Sequence, residues 1–127
     1  MNSITIDDLL RNLSGYNPDA ISDVKKAYDY ASYLHNGQVR QSGEPYISHP
    51  LNVAYILSEM HADSDTVCAG LLHDTLEDTN IKKEDIAHYF NQNVANLVDG
   101  VTKLAKMNFS SKQDQNYANT RKVRSEF

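Results

Sequence analysis

Apolar residues recur along this chain at intervals of three and four, and no stretch shows sustained two-residue alternation bounded by turn signals. That pattern predicts an all-α domain. A short helix is expected over Ile6 to Leu13, broken by "SGYNP". Asn17 is placed to cap the next helix and Pro18 to fill its first turn, with Ile21, Val24, Ala27, Tyr28, Ala31 and Leu34 as its buried stripe up to Gly37. The segment "GQVRQSGEPYISHP" has two glycines and two prolines in fourteen residues without helical spacing, so a loop is predicted there. Loops carried on a rigid helical frame often hold binding residues. After Pro50, Leu51, Ala54, Ile56, Leu57 and Met60 mark another buried face, and Asp63 and Ser64 offer caps for a helix running through Leu71 to Glu77. Two more helices follow, over about Lys83 to Phe90 and Val94 to Lys106, the second with Val94, Leu97, Val98, Val101 and Leu104 on one face. From Met107 the chain turns polar, with Phe109, Tyr117, Val123 and Phe127 as scattered anchors. A loop with a loosely docked helix and partial disorder both suit such a tail. Residues 1–106 therefore read as the domain body and 107–127 as a polar tail.

Composition adds limits. The 127 residues fit one domain, 40% hydrophobic and 23% charged, and no apolar run approaches the length of a membrane span. No basic-then-apolar leader is visible at the N-terminus, which predicts a cytoplasmic protein without a membrane partner. The net charge of −5 argues against a nucleic-acid polymer as partner. That charge is uneven: residues 1–100 carry 6 Lys/Arg and 15 Asp/Glu (−9), whereas 101–127 carry 6 and 2 (+4), so the tail is basic. The single cysteine, Cys68, has no internal disulfide partner and lies in the apolar stretch "TVCAGLL", where a buried thiol is the usual occupant.

The chemistry concentrates in "LLHDTLEDT", Leu71 to Thr79. Continued as one helix, it sets His73 over Glu77 and Asp74 over Asp78, two ligand-type columns side by side. With His49 from the loop-to-helix junction, His73 and Asp74 offer imidazole nitrogen and carboxylate oxygen to one ion, a set suited to Mn²⁺, Fe²⁺ or Zn²⁺. The lack of further cysteines disfavours a structural zinc site. A catalytic ion there would acidify a water and polarise a phosphorus centre, with Glu77 and Asp78 one turn on to orient that water or take its proton. An acidic, solvated helix end is the competing reading of the same residues. His61 and His88 have no acidic or histidine neighbour at ligand spacing and are read as ordinary histidines. His35 sits near a helix end, where the helix dipole alone favours it.

Read together, "AYDYASYLHNGQVRQSGEPYISHPLNVAYIL", "TVCAGLLHDTLEDT" and "LVDGVTKL" resemble the RelA/SpoT family, and within it the N-terminal HD-type hydrolase domain. The resemblance runs from about Ala27 to Lys106 and implies an all-helical HD domain that removes the 3′-pyrophosphate of the alarmones ppGpp and pppGpp, usually with Mn²⁺. It implies His49, His73 and Asp74 as metal ligands and Glu77 and Asp78 as the acidic pair serving the attacking water or the leaving group. It also implies Arg40 and Ser42 as contacts to the guanosine or its phosphates, with Tyr46 shaping the pocket. Independently, a guanidinium fork such as that of Arg40 suits a phosphate or a base.

Two departures stand out. The family's first motif usually has arginine-lysine before "SGEPY", and here the second position is Gln41, one positive charge fewer. HD sites of this type also take a further aspartate from a later helix, and the chain reaches Phe127 before any such segment. Asp114 has surroundings that match nothing in the HD pattern. A C-terminally incomplete domain is the expectation, with an exposed apolar face that predicts a homo-oligomer. The alternative function is a non-catalytic nucleotide-binding or interaction module built on the same helices.

Overall fold

The computed structural model describes residues 4–36, 38, 43 and 45–112, the last nine of these (104–112) by helix path alone. Arg40, Gln41, Ser42, Asp114 and the tail anchors Tyr117, Val123 and Phe127 lie outside the described residues. The first helix, α1 (Ile6–Tyr16), starts from a reciprocal cap: the Asp8 amide donates to Thr5 Oγ1 (3.2 Å) and the Thr5 amide to Asp8 Oδ2 (2.9 Å). It runs past the expected end at Leu13 to Tyr16, and the break falls at Asn17, whose amide donates to the Leu13 carbonyl at 2.7 Å. A 3₁₀ turn, Pro18–Ala20, leads straight into α2 (Ile21–Leu34), which buries Val24, Ala27 and Ala31.

Helix α3 (Ser48–Glu59) begins two residues before Pro50, since a proline in the first turn gives up no helical hydrogen bond. His49 therefore rides on a helix rather than in the preceding loop. The predicted core position Met60 is 71% exposed, because α3 stops at Glu59, and Val53 and Ser58 are buried on that helix although periodicity did not mark them. A short turn returns the chain into α4 (Ser64–Leu72), capped as expected by Asp63, whose carboxylate accepts from the Thr66 amide at 2.9 Å.

Helix α4 is the centre of the molecule. Its residues Val67, Cys68, Ala69, Gly70, Leu71 and Leu72 are all buried, and α2, α3 and α7 pack around it. A helix apolar on every side has no solvent face to keep, which places it in the middle of the bundle. Gly70 permits the close approach of α3: a Cβ there would meet Leu57 Cδ1 at 2.8 Å. Burial of the Cys68 thiol pushes its pKa up to about 12, as befits a core cysteine.

After α5 (Thr75–Asp78) and α6 (Lys83–Tyr89), α7 (Gln92–Lys112) buries Val94, Ala95 and Val98. Lys26 of α2 holds the end of α6, donating to the Tyr89 carbonyl with its Nζ 4.8 Å from the Phe90 ring centroid. Helix α7 continues six residues past the predicted end at Lys106. The described residues form an all-α bundle with no β-strand, and none of their helices is long and apolar enough to cross a membrane.

Candidate metal centre

The helix expected to run through Leu71 to Glu77 is broken at His73 and Asp74. Three side chains donate to backbone carbonyls around the break. His73 Nδ1 donates to the Gly70 carbonyl at 2.6 Å, Thr75 Oγ1 to the Leu72 carbonyl at 2.7 Å, and Thr79 Oγ1 to the Thr75 carbonyl at 2.7 Å. Side chains bonded to nearby carbonyls compete with the helical ladder, and here those of His73 and Thr75 end α4 at Leu72, after which the chain restarts as the single turn α5. The pair of straight columns is thus corrected. Asp74 still stands one turn before Asp78, whose amide donates to the Asp74 carbonyl at 3.0 Å, but His73 folds back over the end of α4 instead of lying above Glu77.

That fold-back brings three donors together. One ligand atom from each of His49, His73 and Asp74 lies within 4.8 Å of the others. His73 Nε2 is 3.3 Å from Asp74 Oδ1, His49 Nε2 is 3.9 Å from Asp74 Oδ2, and the two imidazole rings meet at 65° with centroids 5.3 Å apart. The elements explain the meeting. Helices α3 and α4 form an antiparallel hairpin, so the first turn of α3 lies beside the last turn of α4. Thr102 of α7 closes the back, its hydroxyl bonding the Val98 carbonyl at 2.9 Å and reaching the His73 carbonyl at 3.4 Å.

The donor set fits a divalent transition metal. With its Nδ1 proton committed to the Gly70 carbonyl, His73 presents a lone pair at Nε2 toward Asp74, the tautomer a metal requires, fixed by the kind of outer bond that orients ligand histidines. Burial pushes the Asp74 carboxyl up to about 6, opposed by the His49 imidazole, aided by Asp78, opposed by His35 and aided by Glu77. A bound cation would reverse that shift by favouring the carboxylate.

Glu77 and Asp78 are exposed at the edge of the centre. The Tyr46 hydroxyl donates to Asp78 Oδ2, so the predicted pocket tyrosine reaches one of the predicted acids. Gln38 Nε2 donates to the Asp78 carbonyl at 3.2 Å, and His35, read from sequence as a dipole-favoured histidine, is buried with its ring stacked on Tyr46 at 4.6 Å. His35, Gln38 and Thr75 are the contributors that periodicity did not single out. Their signal was the polar run "HNGQ" at a helix end and a threonine directly after His-Asp. His61 stacks on Tyr16 and His88 meets Tyr89 edge-on, and neither belongs to the trio.

A family model described as HD domain matches residues 27–125, most of the chain. The chain belongs to the HD domain family. Among relatives, this HD domain is 43% identical over 117 residues to a guanosine-3′,5′-bis(diphosphate) 3′-pyrophosphohydrolase of Aquifex aeolicus, covering 92% of the chain and 17% of that protein. It is 48% identical over 115 residues to a GTP pyrophosphokinase of Myxococcus xanthus, covering 87% of the chain and 15% of the relative. A second pyrophosphohydrolase of that name, from Vibrio cholerae, is 47% identical over 103 residues, 81% of the chain and 15% of that protein. The RelA/SpoT resemblance read from the motifs is borne out by these relatives. The HD domain spans about one sixth of their length.

Proposed function

We propose that this HD domain hydrolyses the 3′-pyrophosphate of ppGpp or pppGpp, giving GDP or GTP and pyrophosphate, with Mn²⁺ as the working ion. The observation that carries the reading is the convergence of His49, His73 and Asp74 within 4.8 Å beside the acidic pair Glu77 and Asp78. The names of the relatives supply the nucleotide. An ion bound there supplies Lewis-acid polarisation of a phosphoryl oxygen and lowers the pKa of a water.

The chain's own residues do the rest. Water attacks the phosphorus nearest the ribose, the bond to the 3′-oxygen breaks, and pyrophosphate leaves. Glu77 or Asp78 takes the proton of the attacking water and, as the carboxylic acid so formed, returns it to the departing 3′-oxygen directly or through solvent. Tyr46 occupies one carboxylate oxygen of Asp78, leaving the other to face the reaction. Arg40 and Ser42 are the proposed contacts to guanosine or phosphate, and Gln41 in place of a lysine leaves the phosphates one cation poorer.

The test is pyrophosphate release from ppGpp by the purified chain with added Mn²⁺, beside a His73→Ala, Asp74→Ala double variant. Release by the wild type that vanishes in the double variant is expected. A folded wild type that binds the nucleotide without releasing pyrophosphate would make the chain a binding module instead.

A further inference from the structure

One buried imidazole stands beside the centre without belonging to the His49, His73 and Asp74 trio. His35 is 3% exposed at the end of α2, and its Nε2 is buried without a hydrogen-bond partner. Its Nδ1 lies 3.1 Å from Gln38 Oε1, while Gln38 Nε2 donates to the Asp78 carbonyl. The second bond fixes the amide. With Nε2 on a carbonyl, Oε1 faces the imidazole and can only accept, so the neutral tautomer that fits His35 carries its proton on Nδ1 and a lone pair on Nε2. The same ring stacks on Tyr46 with planes 16° apart, and Tyr46 in turn donates to Asp78 Oδ2. Two routes therefore run from one imidazole to one aspartate. The first ends on its main chain, the second on its carboxylate.

Packing alone does not account for a histidine here. A buried lone pair without a partner costs stability that a benzene ring in the same stack would not. Asp78 is exposed, and an exposed carboxylate that must meet a reacting water gains from being held at two points. We propose that His35 and Gln38 are positioning residues that fix Asp78, through its carbonyl and through Tyr46, with one carboxylate oxygen turned to the reacting water. The proposal rests on the hydrolase reading of the site.

His35→Phe keeps the stack and removes the donor; Gln38→Met cuts the relay without touching the core. In each, kcat for pyrophosphate release is expected to fall roughly ten- to hundredfold, with KM unchanged, and the double variant should fall no further than either single one. Mn²⁺ affinity, read by titration, should match the wild type in all three, and His35→Phe should melt no lower than the wild type. Full kcat in His35→Phe, additive losses, or a parallel loss of Mn²⁺ affinity and melting temperature would overturn the proposal. A long-range ¹H–¹⁵N correlation spectrum of the metal-free wild type, in alkaline buffer, gives a readout independent of turnover. A protonated Nδ1 and bare Nε2 at His35 support the relay, and the opposite tautomer overturns it. A wild type without pyrophosphate release removes the hydrolase reading, and the spectrum still decides whether His35 holds Asp78 through Gln38.

Discussion

Thr75 is fully buried and spends its hydroxyl on the Leu72 carbonyl, the bond that ends α4 so that Asp74 can turn toward His49 and His73. Thr75→Val keeps the shape and leaves that carbonyl unsatisfied. A loss of about 1–3 kcal/mol in urea unfolding is expected, together with weaker Mn²⁺ binding. A variant as stable and as tight as the wild type would show that the break has another cause. Cys68 gives a second test at this scale. With its pKa raised to about 12, the thiol stays protonated and enclosed at pH 8, so a thiol reagent should label it only as fast as the protein unfolds. Rapid labelling of the native protein would contradict a closed core around α4.

Among the elements, helix order was legible in the sequence and helix ends were not. Val24, Ala27 and Ala31 on α2, and Val94 and Val98 on α7, lie buried at the positions their spacing marked. Periodicity reports which residues face a core, so it saw these. It is blind to side chains that claim backbone carbonyls, and for that reason it ran α4 straight through His73; α1 was stopped at Leu13 by the turn residues of "SGYNP", three of which the helix absorbs. The candidate metal trio was legible as residue types at suggestive places, but not as geometry, because the meeting depends on that break and on the antiparallel return of α4 beside α3. His35 stands at the end of α2, as its place in the sequence suggested, but its burial and its stack on Tyr46 are tertiary and not legible from that place. Asp63, by contrast, was read directly as a cap. Asp63→Ala should cost about 1 kcal/mol at pH 7. The hydrogen bonds from Thr66 hold the Asp63 carboxyl below its ordinary 3.8, so its contribution is complete above that pH and is lost as pH falls through the lower, folded value. Wild type and variant should therefore begin to converge in stability near pH 3.8 and meet below the folded value, as acid unfolding curves would report, and a gap that persists in strong acid would refute the assignment.

At the scale of the whole molecule, α4 is at once the core and the post on which the site is mounted. Its interior is apolar on all sides, and its C-terminal end presents His73 and Asp74 where α2, α3 and α5 supply His35, His49 and Asp78. An ion held by residues from separate elements binds the folded chain and not the unfolded one, which stabilises the fold by about 2.7 kcal/mol when free metal is a hundredfold above its Kd. A single divalent ion on His49, His73 and Asp74 underlies the proposed chemistry, and calorimetric titration of metal-free protein with Mn²⁺ tests it most directly. One site per chain is expected, lost in His73→Ala and in Asp74→Ala while both variants remain folded. Folded wild type that takes up no Mn²⁺, or stoichiometric binding that survives both substitutions, would contradict it.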